Sequence, residues 1–215
     1  MNLYIREPIN GFTHLAGALL AFVGLIAMVI KATISTGSAL AIAAVIVFGI
    51  SMILLYSASA TYHMVIAKDK MIAFWRRVDH SMIYILIAGT YTPFCLITLN
   101  GVTGWILFGI ISGLALFGVI FKLVWFHCPR WLSTTLYIAM GWVVVFFFSP
   151  LMDALHINGL LLLIGGGVLY TIGGVIYGTK PKFLSFKHFG FHEIFHIFIL
   201  LGSLAHFLSV FLYVI

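Results

Sequence analysis

The chain reads as an all-α membrane protein with seven transmembrane helices. Three observations carry this. Of its 215 residues, 63% are apolar and only 7% charged, against about a quarter charged in an average soluble domain. Breaking the chain at charges and at Gly, Pro and Asn leaves seven apolar segments, each near the ~20 residues needed to cross hydrocarbon as a helix. Finally, the basic residues fall almost entirely on one side once those segments are laid alternately across a membrane.

The segments run over about 12–31, 39–63, 78–99, 102–125, 132–151, 157–178 and 190–214. The first follows a single arginine, and its apolar run Gly11–Ile30 exceeds the roughly 7–15 residues of a signal-peptide core. It therefore reads as a retained first helix. The second ends on Ser57-Ala58-Ser59-Ala60-Thr61-Tyr62-His63. The third follows the most charged connection, Met64–Arg77, which is also the longest, and opens on Val78-Asp79-His80. The sixth holds Gly165-Gly166-Gly167 and Gly173-Gly174; with no strand before them these suit close helix packing, not phosphate binding. Trp75, Trp105, Trp125 and Trp131 lie near segment ends and read as interfacial anchors.

With the amino terminus in the cytosol and the carboxyl terminus outside, Arg6, Lys68, Lys70, Arg76, Arg77, Lys122, Arg130, Lys180, Lys182 and Lys187 lie inside, and Lys31 alone lies outside. The reverse orientation inverts that balance, and removing one helix scatters it. The net charge of +6 therefore reports topology, and nucleic acid is not an implied partner. No repeat, low-complexity tract or long polar run suggests a second, soluble domain: the chain reads as one domain over 1–215. Cys95 and Cys128 map to opposite membrane faces, too far apart for the ~7 Å limit of a disulfide.

That orientation brings three distant polar clusters to one depth in the cytoplasmic leaflet: Ser59 and His63, Asp79 and His80, and His192-Glu193-x-x-His196. His192 and His196, four residues apart, share one helix face. An ionisable group inside a membrane segment is a functional-site candidate by default. His63, His192 and His196 could fill three corners of a tetrahedral zinc site and leave the fourth open, as in catalytic sites. Zinc would lower the pKa of water to about 7 and polarise a carbonyl. Asp79 would accept a hydrogen bond from that water, and Ser59, one turn from His63, faces the same way. Each residue alone fits a plainer role: histidines at helix ends bond backbone or headgroups, and Asp79 could pair with Arg76 or Arg77. The convergence at one depth favours the site. Glu193 completes an H-E-x-x-H pattern in which Glu is a general base, but it lies 100° round the helix from His192 and could instead face headgroups near Lys187.

At these residues the chain resembles the hemolysin III family, which belongs with the progestin and adipoQ receptors and more distantly with the alkaline ceramidases. The resemblance lies in Ser59-x-x-x-His63, Asp79-His80-Ser81 and His192-x-x-x-His196. Leu86-Ile87-Ala88-Gly89-Thr90-Tyr91-Thr92-Pro93-Phe94, Ala139-Met140-Gly141-Trp142 and His206-Phe207 look like its bacterial branch, which implies a bacterial cell membrane. The resemblance implies Zn2+ held by His63, His192 and His196, Asp79 reached through water, Ser59 beside it, and an incidental Glu193. It further implies a latent hydrolase, with lipid amides as candidate substrates.

Other residues are weighed the same way. His14 opens the first segment at the same depth, either as a partner orienting a ligand or, as its terminal position favours, as an interfacial histidine. His80 points 100° from Asp79 and suits packing or a backbone bond. His206 lies about 21 Å beyond His192 along the helix and should bond a neighbouring helix, with Ser203 or Tyr91 as candidates. His127, His156 and His188 fall in loops and should be solvated. The leading expectation is a zinc-dependent lipid amide or ester hydrolase, with Asp79 and Ser59 catalytic and membrane lipids as substrates. Alternatives are a non-enzymatic membrane sensor with structural zinc, a haemolytic pore-former, and an intramembrane protease using Glu193. No charged stripe lines a pore, and the seventh segment has no lysine for a retinal Schiff base. No protein partner can be named from the residues.

Overall fold

A computed structural model describes residues 5–125, 127–184, 186 and 189–215. Lys187 and His188, placed above in the inside loop, lie outside the described residues. Seven helical spans are long and apolar enough to cross a membrane, and no strand occurs among the described residues. They are α1 (Pro8–Ser35), α2 (Ala39–Met64), α3 (Asp69–Pro93) prolonged by a π-helical turn Phe94–Thr98, α4 (Gly101–Val124), α5 (Arg130–Gly141) continued through a 3-10 turn Trp142–Phe147 into α6 (Phe148–Ala154), α7 (Ile157–Thr179) and α8 (Phe191–Tyr213). Pro8 occupies the first helical position of α1, where its missing N–H costs nothing. Ser38 caps α2 by accepting from the Ala41 N–H.

The alternation gives the bundle two ends. At the near end α1, α3, α5 and α8 begin and α2, α4 and α7 finish. The most extensive pairings are α1 with α2, α2 with α3, and α7 with α8, and α8 also packs against α1. Large apolar side chains such as Leu19, Leu20, Phe22 and Val23 on α1 and Leu116 and Phe117 on α4 point outward. In water that band would be a liability; against lipid it is the expected surface.

Two expectations are corrected. The connection Met64–Arg77 is not the longest: α3 begins at Asp69, and only 65–68 separate it from α2. The extra turns carry Asp69, Lys70, Arg76 and Arg77, so hydropathy alone could not detect them, although Asp69 suits the positive end of the helix dipole. The fifth span is not one continuous helix. It changes to a 3-10 turn at Trp142, and the Tyr91 hydroxyl supports the break, donating to the Gly141 carbonyl at 2.6 Å and accepting from the Val144 N–H at 2.9 Å. In hydrocarbon such freed backbone groups must find internal partners. Trp142 Nε1–H also donates to Thr171 on α7 at 2.9 Å.

The sixth-span glycines divide. A Cβ on Gly166 would lie 2.3 Å from the His206 ring, and one on Gly173 2.9 Å from Phe198 Cβ, whereas Gly165 has open space. Close approach of α7 to α8 thus needs Gly166 and Gly173. Cys95 and Cys128 are both free. Tyr91→Phe should remove the support of the fifth-span break and destabilise the protein by about 1–3 kcal/mol, read as a lowered midpoint of unfolding in mixed detergent followed by circular dichroism; an unchanged midpoint would show that the break needs no side-chain partner.

Candidate metal centre

His63 sits one residue before the end of α2, and His192 and His196 lie in the first two turns of α8. Because α2 finishes where α8 starts, the three rings meet at the near end. His63 Nε2 and His192 Nε2 are 3.4 Å apart, and the ring centroids of His63–His196 and His192–His196 are 5.0 and 4.7 Å apart. One nitrogen from each ring falls within 4.8 Å of the other two. His63 and His196 are each only 2% exposed. His196 Nδ1 is buried with no hydrogen-bond partner. Three convergent imidazoles with an orphaned buried nitrogen fit a zinc ion with one position left open.

His14 is not an interfacial histidine. It is buried, stacks on His196 with centroids 3.6 Å apart, and meets Tyr56 edge-on; both its ring nitrogens are buried and unpaired. It lies well inside α1 because the helix starts earlier than the apolar run suggested.

The group that sequence reasoning missed is Glu7. Its carboxylate accepts a hydrogen bond from His63 Nδ1 at 2.7 Å, and its own N–H donates to the His63 carbonyl at 2.9 Å. The bond from His63, helped by the adjacent Arg6 guanidinium, holds the Glu7 carboxyl down at about 2. Glu7 is therefore a standing anion that accepts only. His63 Nδ1–H therefore points at Glu7, and Nε2 faces His192. This carboxylate–histidine pairing is how proteins orient metal-ligating imidazoles. Arg6 completes the strap by donating to the Tyr62 carbonyl at 2.5 Å. The available signal was Glu7 preceding Pro8 in a chain with only five acidic residues; it lies outside every apolar run.

Glu193 is half-buried in the first turn of α8. It caps α8 by accepting from the Gly190 N–H at 2.8 Å and accepts from Asn10 Nδ2 at 2.9 Å. Asn10 also reaches Glu7 at 3.3 Å, so the starts of α1 and α8 are tied through one buried amide. Asp79 is buried on α3, outside the three-histidine group, with Ser59 as its hydrogen-bonding neighbour. His80 Nε2 meets the Tyr177 hydroxyl at 3.3 Å, and its carbonyl accepts from Tyr137 at 3.1 Å. His206 bonds its own helix, Nδ1 to the Gly202 carbonyl at 2.7 Å, and stacks on Tyr170 of α7. Neither Ser203 nor Tyr91 is its partner: Ser203 is taken by Tyr56 and Tyr170. His127 is exposed; His156 is exposed too, and caps α7 by accepting from the Asn158 N–H.

A cavity of about 250 Å³ opens beside this cluster. His14, Ser59, Asp79, His192 and His196 line its near end, and its wall continues along apolar residues to Leu99, Leu151 and Leu160 near the far end. Among its far-wall groups His206 is one of few polar ones. A long apolar cavity with a few convergent polar groups at one end is the usual form of a small-molecule site.

Comparison with known proteins agrees with the three motifs. The family described as "Haemolysin-III related" matches residues 3–207. The chain belongs to the haemolysin III family. It is 42% identical over 218 residues to a protein named Hemolysin-3 from Bacillus cereus, covering 100% of this chain and 95% of that one. It is 40% identical over 210 residues to a Hemolysin-3 homolog from Bacillus subtilis (strain 168), covering 97% and 95%. As a haemolysin III protein with seven apolar spans it is a multi-pass membrane protein, in bacteria of the cell membrane.

The clamp at Glu193 gives a test of structure alone. Glu193→Ala should uncap α8 and free Asn10, costing about 0.5–2 kcal/mol, while Glu193→Gln, with a single acceptor oxygen, keeps one of the two contacts and part of the stability. Thermal unfolding in detergent reads both; equal losses would mean that both acceptor contacts are needed together.

Proposed function

We propose that this haemolysin III protein is a zinc-dependent hydrolase of membrane lipid amides or esters, working in the cytoplasmic leaflet with its amino terminus inside. One observation carries this reading: of three converging histidines, His192 and His196 line one end of a long apolar cavity together with the buried Asp79. His63, His192 and His196 would hold the ion. A zinc ion bound there supplies a Lewis acid that polarises a carbonyl and acidifies water.

The chain's own residues account for the remaining steps. The apolar wall takes an acyl chain and excludes water, placing the scissile carbonyl at the His192–His196 end. Asp79, in a site where charge is little screened, accepts a proton from the attacking water. It returns that proton to the departing amine or alcohol as the C–N or C–O bond breaks, so water is divided between acid and leaving group. Ser59, hydrogen-bonded to Asp79, orients that carboxyl; in this arrangement its hydroxyl serves Asp79 before any substrate oxygen. Glu7 keeps His63 in the ligating tautomer. The net bias of basic residues toward the near end supports placing that end in the cytosol.

A second reading, a sensor whose zinc is a structural pin, draws on the same strap, because Glu7, Asn10 and Glu193 tie α1, α2 and α8 at the metal centre. A pore, suggested by the relatives' names, draws no support from a cavity with so apolar a wall.

Elemental analysis of protein purified without chelator should give about one zinc per chain, and the protein should release fatty acid from a panel of lipid amides and esters. Asp79→Asn should keep the zinc and lose turnover by about 100-fold or more, whereas His63→Ala should lose both. Wild-type protein without metal ends the proposal; metal without turnover, and Asp79→Asn indistinguishable from wild type, leaves the structural pin. Glu7→Gln should weaken zinc binding about 10–100-fold with the fold intact, measured by competition with a chromogenic chelator.

A further inference from the structure

A second polar recess lies at the near end, between α3, α4, α5 and α7, away from the three histidines. It has a volume of about 40 Å³. Three cations line it: Arg76, Lys122 and Arg130. No carboxylate does. The nearby acid, Asp79, lines the long cavity instead. His80 stands in the same wall.

Arg76 is exposed, but the other two charges are held in place. Lys122 is 3% exposed, and its ammonium donates to Ser133 Oγ at 2.5 Å and lies 3.4 Å from Cys128 Sγ. The Arg130 guanidinium packs over the Tyr177 ring, 4.7 Å from its centroid, and its Nη1 is buried with no partner. Arg130 also opens α5, so the positive end of that helix dipole adds to the field. Holding the buried Lys122 ammonium near the half-buried Arg130 guanidinium is costly unless an anion joins them. The volume admits about three oxygen-sized groups, at roughly 10–15 Å³ for each water-sized occupant. Arginine forks and a fixed ammonium match the oxygens of a phosphate, and basic pockets between spans at the cytoplasmic side are where lipid phosphates bind.

We propose that this recess is an oxyanion site that takes a phosphate group, either the phosphate of an anionic lipid headgroup or free phosphate. It is independent of the metal reading, since none of the three histidines lines it. His80, Tyr137 and Tyr177 line both the recess and the long cavity, so a bound phosphate sits one side-chain layer from Asp79.

The test is thermal unfolding and native mass spectrometry of the purified chain in neutral detergent with added phosphatidylglycerol, phosphatidylcholine or inorganic phosphate. Saturable stabilisation by phosphatidylglycerol, absent with phosphatidylcholine, is expected, and Arg130→Gln and Lys122→Met should each weaken it at least tenfold. Stabilisation by inorganic phosphate that the same variants lose supports the site and names the free anion as its source; phosphatidylglycerol alone names the lipid. If Lys122→Met does not fold, Arg130→Gln carries the comparison, its residue being less buried. No stabilisation by either phosphate source, or Arg130→Gln binding as tightly as wild type, overturns the proposal.

Discussion

The hydrogen bond from His63 to Glu7 organises the near end of this protein. At 2.7 Å it ties the residue before α1 to the last turn of α2 and fixes which imidazole nitrogen faces inward. Without that acceptor, a buried histidine would be free to present either tautomer, and the three-ring centre would have no fixed donor set. The same strap orders the start of α1 through the Glu7 N–H and Arg6. Asn10 and Glu193 then pass the order on to α8. Three spans remote in sequence are thereby registered by a handful of polar contacts at the bundle's end.

Polar satisfaction in an apolar medium explains most of the remaining irregularities. The fifth span abandons α-helical bonding at Trp142, where one hydroxyl, Tyr91, serves two of the backbone groups. Mid-bundle, Tyr56 and Tyr170 converge on Ser203, and His206 turns back to its own helix. Gly166 lets α7 approach that His206 ring. At the far end Lys31 donates to the Phe211 carbonyl and lies over the Phe211 ring, which closes α1 on α8 at both ends.

Two chemically opposed centres share the near end. One gathers imidazoles and carboxylates, which suits a cation. The other gathers guanidinium and ammonium groups, which suits an anion. The wall of His80, Tyr137 and Tyr177 separates them. In low dielectric this separation matters, because an ion in either centre is felt by the other far more strongly than in water.

The number of spans, their direction relative to one another and the convergence of His63, His192 and His196 were legible in the sequence. Hydropathy and charge are properties of each segment alone, and helical spacing fixes which residues share a face. Glu7 was not legible, nor was the burial of His14, because both depend on how a short polar segment folds back over the end of a neighbouring helix. The early start of α3 was hidden by its charges, and the broken fifth span by the fact that its support comes from Tyr91, some fifty residues away. Arg76, Lys122 and Arg130 looked like a scattered topological signal. Only packing of α3, α4 and α5 gathered them into one recess, since spatial proximity between charges on different helices is set by the bundle and by no local pattern.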